Sequence, residues 1–181
     1  MAASSGKYFS EVAAGRVFVG STAAAGVAVP VETGTAVTFA LWNTAPGLNA
    51  VPLWIAMSYL SGTITIGGFG LSNQDCGYAI GTAAPLSAFT NGTPKNALLG
   101  KGDASAMRFA PATATLTAGG TRCYSFGFGQ QIATAGPGVS VMQHEFDGRL
   151  IVPPGQMIFV TENIVTTALY NITMAWAEVP A

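Results

Sequence analysis

Apolar residues recur in this chain with a period of two, and this narrows the accessible folds more than any other feature. In AVTFALWN (Ala36 to Asn43), Val37, Phe39 and Leu41 fall on one side, with Thr38, Ala40 and Trp42 on the other. In RCYSFGF (Arg122 to Phe128), Tyr124, Phe126 and Phe128 share a side. In LYNITMAWAEV (Leu169 to Val179), Tyr170, Ile172, Met174 and Trp176 do the same. Side chains alternate across a β-strand, so such runs predict strands with one face buried. Further strands are expected at Arg16 to Gly20, Val27 to Val31, Pro52 to Leu60, Thr63 to Gly67, Thr113 to Thr117, Val139 to Gln143, Arg149 to Val152 and Gln156 to Thr161.

Turn signals separate these runs: Ala45-Pro46-Gly47, Ser61-Gly62, Gly67-Gly68, Asn91-Gly92, Gly119-Gly120, Gly136-Pro137-Gly138 and Pro153-Pro154-Gly155. Short strands punctuated in this way predict an all-β, antiparallel sandwich or barrel with little or no helix. The stretch Ala83 to Leu99 mixes Ala and Leu with Gly and Pro, and supports one short helical turn at most. Asn91 to Ala104 reads as a long loop with Lys95, Lys101 and Asp103 at its solvated tip. Residues 1–14 carry no strand pattern and are expected to be a free tail or an arm on a neighbouring copy. The remainder, 15–181, is expected to be one domain.

The surface implied by this pattern is unusual. Only 8% of the 181 residues are charged, against a usual quarter or so. Seven Lys and Arg face eight Asp and Glu, for a net charge of −1. An exterior of Thr, Ser, Asn, Gly and Ala suits a protein whose faces are covered by neighbours. No cluster of Lys and Arg is present to grip phosphates, so a nucleic-acid partner is not expected. A polybasic membrane-surface segment is likewise not expected. Mean hydropathy is +0.44, yet the best apolar run, Val51 to Leu60, falls short of the 20 or so residues a spanning helix needs. The first twenty residues do not match a secretory leader, so an unexported chain is expected.

Catalysis requires titratable groups brought together, and the supply is thin. His144 is the only histidine, and no G-x-S-x-G elbow accompanies it. It reads as a structural histidine on a strand. Glu145, Asp147 and Glu162 could form a carboxylate pair for glycoside hydrolysis. Glu145 and Asp147, two apart, are instead expected side by side on an outward face. If they and Arg149 act at all, a salt bridge to a neighbouring subunit is the expected use. A calcium site from the same oxygens lacks a D-x-D-x-D-G loop. Cys76 and Cys123 match no zinc or redox spacing and read as two small buried hydrophobes, with a disulfide as the alternative. The glycine-rich pieces Ile66 to Gly70 and Phe126 to Gly129 lack the strand-to-helix setting of a phosphate loop, so bulges or close backbone packing are expected. The sequons at Asn91 and Asn171 carry little weight without a leader. Trp42, Trp54 and Trp176 sit in apolar strands and are expected in the core or at an interface, not on a sugar platform. No catalytic, cofactor or metal residue is expected.

The C-terminal pattern resembles a known group. DGRLIVPPGQMIFV followed by ALYNITMAWAEVPA is similar to the end of small jelly-roll structural proteins of tailed bacteriophage virions, with Trp176, Glu178 and Pro180 as the closing aromatic, Glu and Pro. GRVFVGSTAAAGVAV and FALWNTAPGLNAVPLWIAMSYLSGT resemble such chains too. The likeness lies in the two terminal thirds. It implies a jelly-roll sandwich with a structural role in a virion, as a capsid decoration or cement protein or a spike. It further implies a homotrimer partnered by a major capsid protein or another virion protein, with no cofactor. Two other readings share the fold. One is a fibre knob or carbohydrate-binding module using Trp42, Trp54, Tyr78 or Phe89. The other is a shell-forming jelly-roll subunit. A cupin-type enzyme would need several histidines.

Overall fold

The computed structural model describes residues 6–64, 67–129 and 141–181. Among these, one helix, α1 (Phe9–Ala13), precedes β1 (Val17–Ser21), β2 (Val27–Ala28), β3 (Ala36–Trp42), β4 (Leu48–Ser61), β5 (Gly67–Asp75), β6 (Leu86–Phe89) and β7 (Lys95–Asn96). Then follow β8 (Arg108–Ala110), β9 (Ala114–Leu116), β10 (Thr121–Gly129), β11 (Val141–Glu145), β12 (Gln156–Glu162) and β13 (Leu169–Pro180). The first sheet runs β11-β4-β13-β1-β7, with β2 also on β13. The second runs β10-β5-β12-β3-β9-β6, with β8 also on β3. Pairing between the strands is antiparallel throughout. No helix among the described residues is long and apolar enough to cross a membrane.

Without β2 and β6 to β9, the sheet orders are β11-β4-β13-β1 and β10-β5-β12-β3. The chain changes sheet at every step except from β5 to β10, which are neighbours. This is the double Greek-key order of a jelly roll. The predicted all-β sandwich is therefore the observed fold.

Alternation builds the layers. In β13, Tyr170, Ile172, Met174 and Trp176 all enter the core between the sheets, as the sequence predicts. Ala175 and Ala177 face the other way, into a smaller cluster with Val17 and Leu53 on the outer side of the first sheet. In β12, Ile158 and Val160 point inward, while Met157 and Phe159 join an outer cluster with Trp42, Cys76 and Leu86. Each sheet thus has an apolar outer patch as well as an apolar inner face.

β3 departs from strict alternation. Val160 pairs with Thr38 and Phe159 with Ala40, so Phe39 is an extra residue opposite no partner. It sits at φ 53°, a region a bulky side chain rarely adopts. The bulge shifts the parity of the strand. Val37 lies in the outer cluster with Ala40 and Trp42, whereas Phe39 and Leu41 enter the inner core. The predicted shared face of Val37, Phe39 and Leu41 is corrected accordingly. Phe39 meets Phe109 edge to face at 5.1 Å, and this packing holds the strained residue in place.

Residues 76–120, between β5 and β10, hold four short strands that the sequence pattern blurs. β9 carries β6 and pairs with β3, β8 pairs with β3, and β7 pairs with β1. The insertion therefore covers one edge of each sheet. Phe109 reaches across β1 because position 20 is glycine: a Cβ there would lie 2.7 Å from the Phe109 ring. The expected loop from Asn91 to Ala104 contains β7, and no helical turn occurs within 83–99.

Three other expectations change. Residues 149–151 form no strand, and Val152 makes only an isolated bridge to Ala50. The cause is local: Asp147 and Gly148 both have positive φ, Arg149 N–H closes a turn on the Phe146 carbonyl, and Pro153 and Pro154 lack donors. Residues 63 and 64 are not in a strand, and 65 and 66 lie outside the described residues. So do residues 130–140, with the Gly136-Pro137-Gly138 signal and the start of the predicted strand Val139 to Gln143. Of the predicted arm, residues 1–5 also lie outside. The rest contains α1, whose Val12 packs, with Tyr8 just ahead of the helix, on the outer cluster of the chain's own first sheet.

The Pro-Pro-Gly corner is fixed by Asn43, which is fully buried. Its Nδ2 donates to the Leu48 and Val152 carbonyls, both at 2.8 Å, and its Oδ1 accepts from Ala45 N–H at 3.0 Å. The Gly155 N–H donates to the Asn43 carbonyl. One side chain thus joins the β3–β4 turn to the corner before β12. Replacing it takes the side-chain partner from the Leu48 carbonyl and the Ala45 N–H, and leaves the Val152 carbonyl with the Ala50 N–H alone. Asn43→Ala should lose about 3 kcal/mol of stability, read as a lower urea midpoint at unchanged slope.

Candidate functional site

Construction of the site begins with the chemistry-bearing residues and where the fold sends them. His144 lies on β11 at the seam where the edges β10 and β11 face each other. Its Nε2 is 3.0 Å from the Tyr124 hydroxyl, and its ring lies 5.1 Å from that of Phe146 and 5.2 Å from that of Tyr124. Phe126 adds a third ring at 6.3 Å. Aromatic neighbours and one hydrogen bond give a packed histidine between two sheets. Among the described residues, no Ser or Cys is bonded to it. The side chain of Phe128, predicted on the same face, lies outside the described residues.

The acids beside it do not make a cleft. β11 ends at Glu145, and Asp147 occupies the following turn. Both reach Lys7, just ahead of α1: its Nζ donates to Glu145 Oε2 at 3.3 Å and forms an ion pair with Asp147. Arg149 meets Asp147 at 3.6 Å. The salt bridge expected to reach a neighbouring subunit is thus made inside the chain and tethers the N-terminal segment. Such exposed pairs contribute little individually, about 0–1 kcal/mol.

Glu162, the third acid, is far from these two in the chain and turned inward. It is 4% exposed and ends β12, facing the core. Its Oε1 is buried without a hydrogen-bond partner, as is the Tyr170 hydroxyl. Burial pushes the Glu162 carboxyl from an ordinary 4.5 up to about 7, against a lowering by the Thr166 N–H. Burial, then the Glu162 charge, then Tyr59, push the Tyr170 phenol to about 12. The sequence showed no sign of this pair, because Glu162 follows an apolar run and looks like a strand end.

Glu178 is the opposite case. It is buried, but its carboxylate accepts from the Ser105 hydroxyl, from Ala106 N–H at 3.1 Å and from Trp176 Nε1–H at 3.3 Å. It ties the closing strand to the insertion, and is structural.

The remaining candidates divide similarly. Both cysteines are free, so no disulfide forms. Cys76 is buried, as expected, whereas Cys123 is exposed, which corrects the expectation of two buried thiols. Burial, with Asp75 nearby, pushes the Cys76 thiol up to about 12, and burial also raises Cys123. Neither thiol is poised as a nucleophile. Trp42 and Trp176 are fully buried, and Trp54 is half-buried beneath the N-terminal segment. The Arg108 guanidinium stacks over Trp42 at 5.0 Å and Phe89 at 5.1 Å, so Phe89 is occupied. The glycine-bearing strands β5 and β10 pair with each other, and register shifts at Arg122/Tyr124 and Ser125/Gly127 are the expected bulges. Ile66 falls outside the described residues. Asn91 accepts from Arg108 Nε–H at 3.0 Å, and Asn171 from the Thr22 hydroxyl at 3.5 Å.

An open depression of about 820 Å³ is lined by residues Asp75 to Pro85. It is mainly apolar, with Tyr78 and Ile80 exposed. Asp75, Cys76 and Tyr78 are its titratable groups. Among the described residues, no three of His, Cys, Asp and Glu come together as metal ligands. The exposed Tyr78 and Ile80 make the depression a surface for contact.

Glu162 makes stability depend on pH. Its folded pKa lies above its unfolded value, so the native state holds the proton more tightly. Stability should be greatest below about pH 4.5 and fall as pH rises toward 7, by on the order of 3 kcal/mol. Glu162→Gln should flatten that slope and raise stability at pH 8, read by denaturant melts across pH. Comparison of the chain with family models, curated proteins and solved structures returns no match.

Proposed function

We propose that this chain is a non-enzymatic virion structural protein, a capsid decoration or cement protein that oligomerises, as a homotrimer, and stabilises a phage head by binding its major capsid protein. The observation that carries this reading is the fate of the charges. Nearly all are paired or buried within the subunit, on a jelly roll whose insertion covers the β1 and β3 edges. What remains outside is neutral and in places apolar: Phe9, Leu60, Tyr78, Ile80, Leu99 and Ile151 are exposed. Apolar patches on an otherwise closed fold favour protein contact. The resemblance of the C-terminal third to phage jelly-roll proteins points the same way.

A sugar-binding knob is supported by one feature, Tyr78, exposed in the depression. The other aromatics named for that role are buried, half-buried or stacked. They give no platform of several rings, so the decoration reading is preferred.

Sedimentation of the purified protein, alone and with empty capsids, tests the proposal. A discrete oligomer that co-sediments with capsids at a fixed copy number is expected. A lasting monomer that ignores capsids overturns it. Tyr78-dependent signal on a glycan array would favour the knob.

A further inference from the structure

The charge distribution leaves two residues over. Every Lys, Arg, Asp and Glu in the sequence falls within the described residues. Lys7 pairs with Glu145 and Asp147, Arg149 with Asp147, Arg16 with Glu11, Lys101 with Asp103 and Arg122 with Glu32. Arg108 is stacked between two rings, and Glu162 and Glu178 are buried. Asp75 and Lys95 remain. They are opposite in sign, both exposed, and neither makes an ion pair among the described residues.

Each lies a few residues in the chain from an exposed apolar group. Asp75 ends β5 in the second sheet and opens the depression that holds Tyr78, 57% exposed, and Ile80, 41% exposed. Among the described residues, its carboxylate accepts from the Gly77 N–H alone, at 3.2 Å. Lys95 opens β7 at the outer edge of the first sheet. Four residues on, Leu99 is 90% exposed, the most of any large apolar side chain among the described residues. The acidic hollow and the basic projection therefore belong to different sheets and do not meet within one subunit.

We propose that they meet between subunits: Lys95 and Leu99 of one copy dock at the Asp75, Tyr78 and Ile80 depression of the next. The leucine leaves water for an apolar hollow, and the ammonium finds the one exposed carboxylate without a cation. Two different patches in contact make a head-to-tail interface, which closes into a ring when its rotation matches the number of copies. This inference rests on the assembly proposed above, and specifies its contact.

Charge reversal tests it on the full chain by sedimentation velocity across concentration. Asp75→Lys and Lys95→Asp should each weaken self-association at least tenfold, because like charges then face each other. The double variant should restore it, since the pair is re-formed in reverse. Leu99→Ser should weaken association with no charge altered. All three positions are exposed, and unchanged thermal melts will show that each variant folds. Single reversals that assemble like the parent, or a double variant as weak as the singles, overturn this contact and leave the assembly reading standing. A parent chain that stays monomeric and ignores capsids overturns both.

Discussion

A strand edge exposed to water presents unmet N–H and C=O groups, and any other strand can pair with them. An eight-stranded sandwich has four such edges, and their closure organises this molecule. At β1 the insertion supplies β7, and at β3 it supplies β8 and β9. The edges β10 and β11 face each other instead, and His144, Tyr124, Phe126 and Phe146 fill the seam with rings. The long excursion between β5 and β10 is therefore part of the fold's closure. Its contacts with the sandwich follow from that role: Glu178 holds Ser105 and Ala106, Trp42 donates to the Gly77 carbonyl, and Arg108 stacks on Trp42.

Scarcity of charge sets the second constraint. With few ionic groups to hold loops, neutral polar side chains do that work inside. Asn43 links two turns, and Ser72 and Thr161 share a hydrogen bond across β5 and β12 at 2.8 Å. A buried polar group that finds partners adds specificity, while one that does not destabilises. Glu178 and Glu162 show both outcomes within one protein. The first has three donors, and the second has an oxygen with none beside an equally unpartnered phenol.

Most of the sandwich was legible because its central strands are long and alternate cleanly. β13 and β12 were read almost residue for residue. Legibility failed where the backbone breaks the period. The bulge at Phe39 moved Val37 to the other side, and no local signal marks it, since Phe in a positive-φ position is held by tertiary packing. β5 was missed because its glycines lack side chains to alternate; at Gly70 a Cβ would strike the Tyr124 carbonyl oxygen, so a neighbouring strand demands the glycine. The insertion's strands are two to four residues long and take their identity from the edges they cover. At the acids, the alternation pattern put Glu145 and Asp147 together on an outward face. It could not reveal that Glu145 is met by Lys7, 138 positions away.

The order of strands carries one more consequence. β13 lies between β4 and β1, and β12 lies between β5 and β3. The two strands at the centre of the sheets are thus the last two of the described strands in the chain. During synthesis the early strands have nothing between them to pair with. They remain as separated halves, with apolar faces uncovered, until the final segments emerge. Pairings this distant in sequence close slowly, and an unfinished chain is at its most aggregation-prone in that interval. The sparing use of apolar side chains in the glycine-rich β5 limits how sticky one waiting half can be. The sheets therefore close at their middles last, and the fold is committed only once β12 and β13 have emerged.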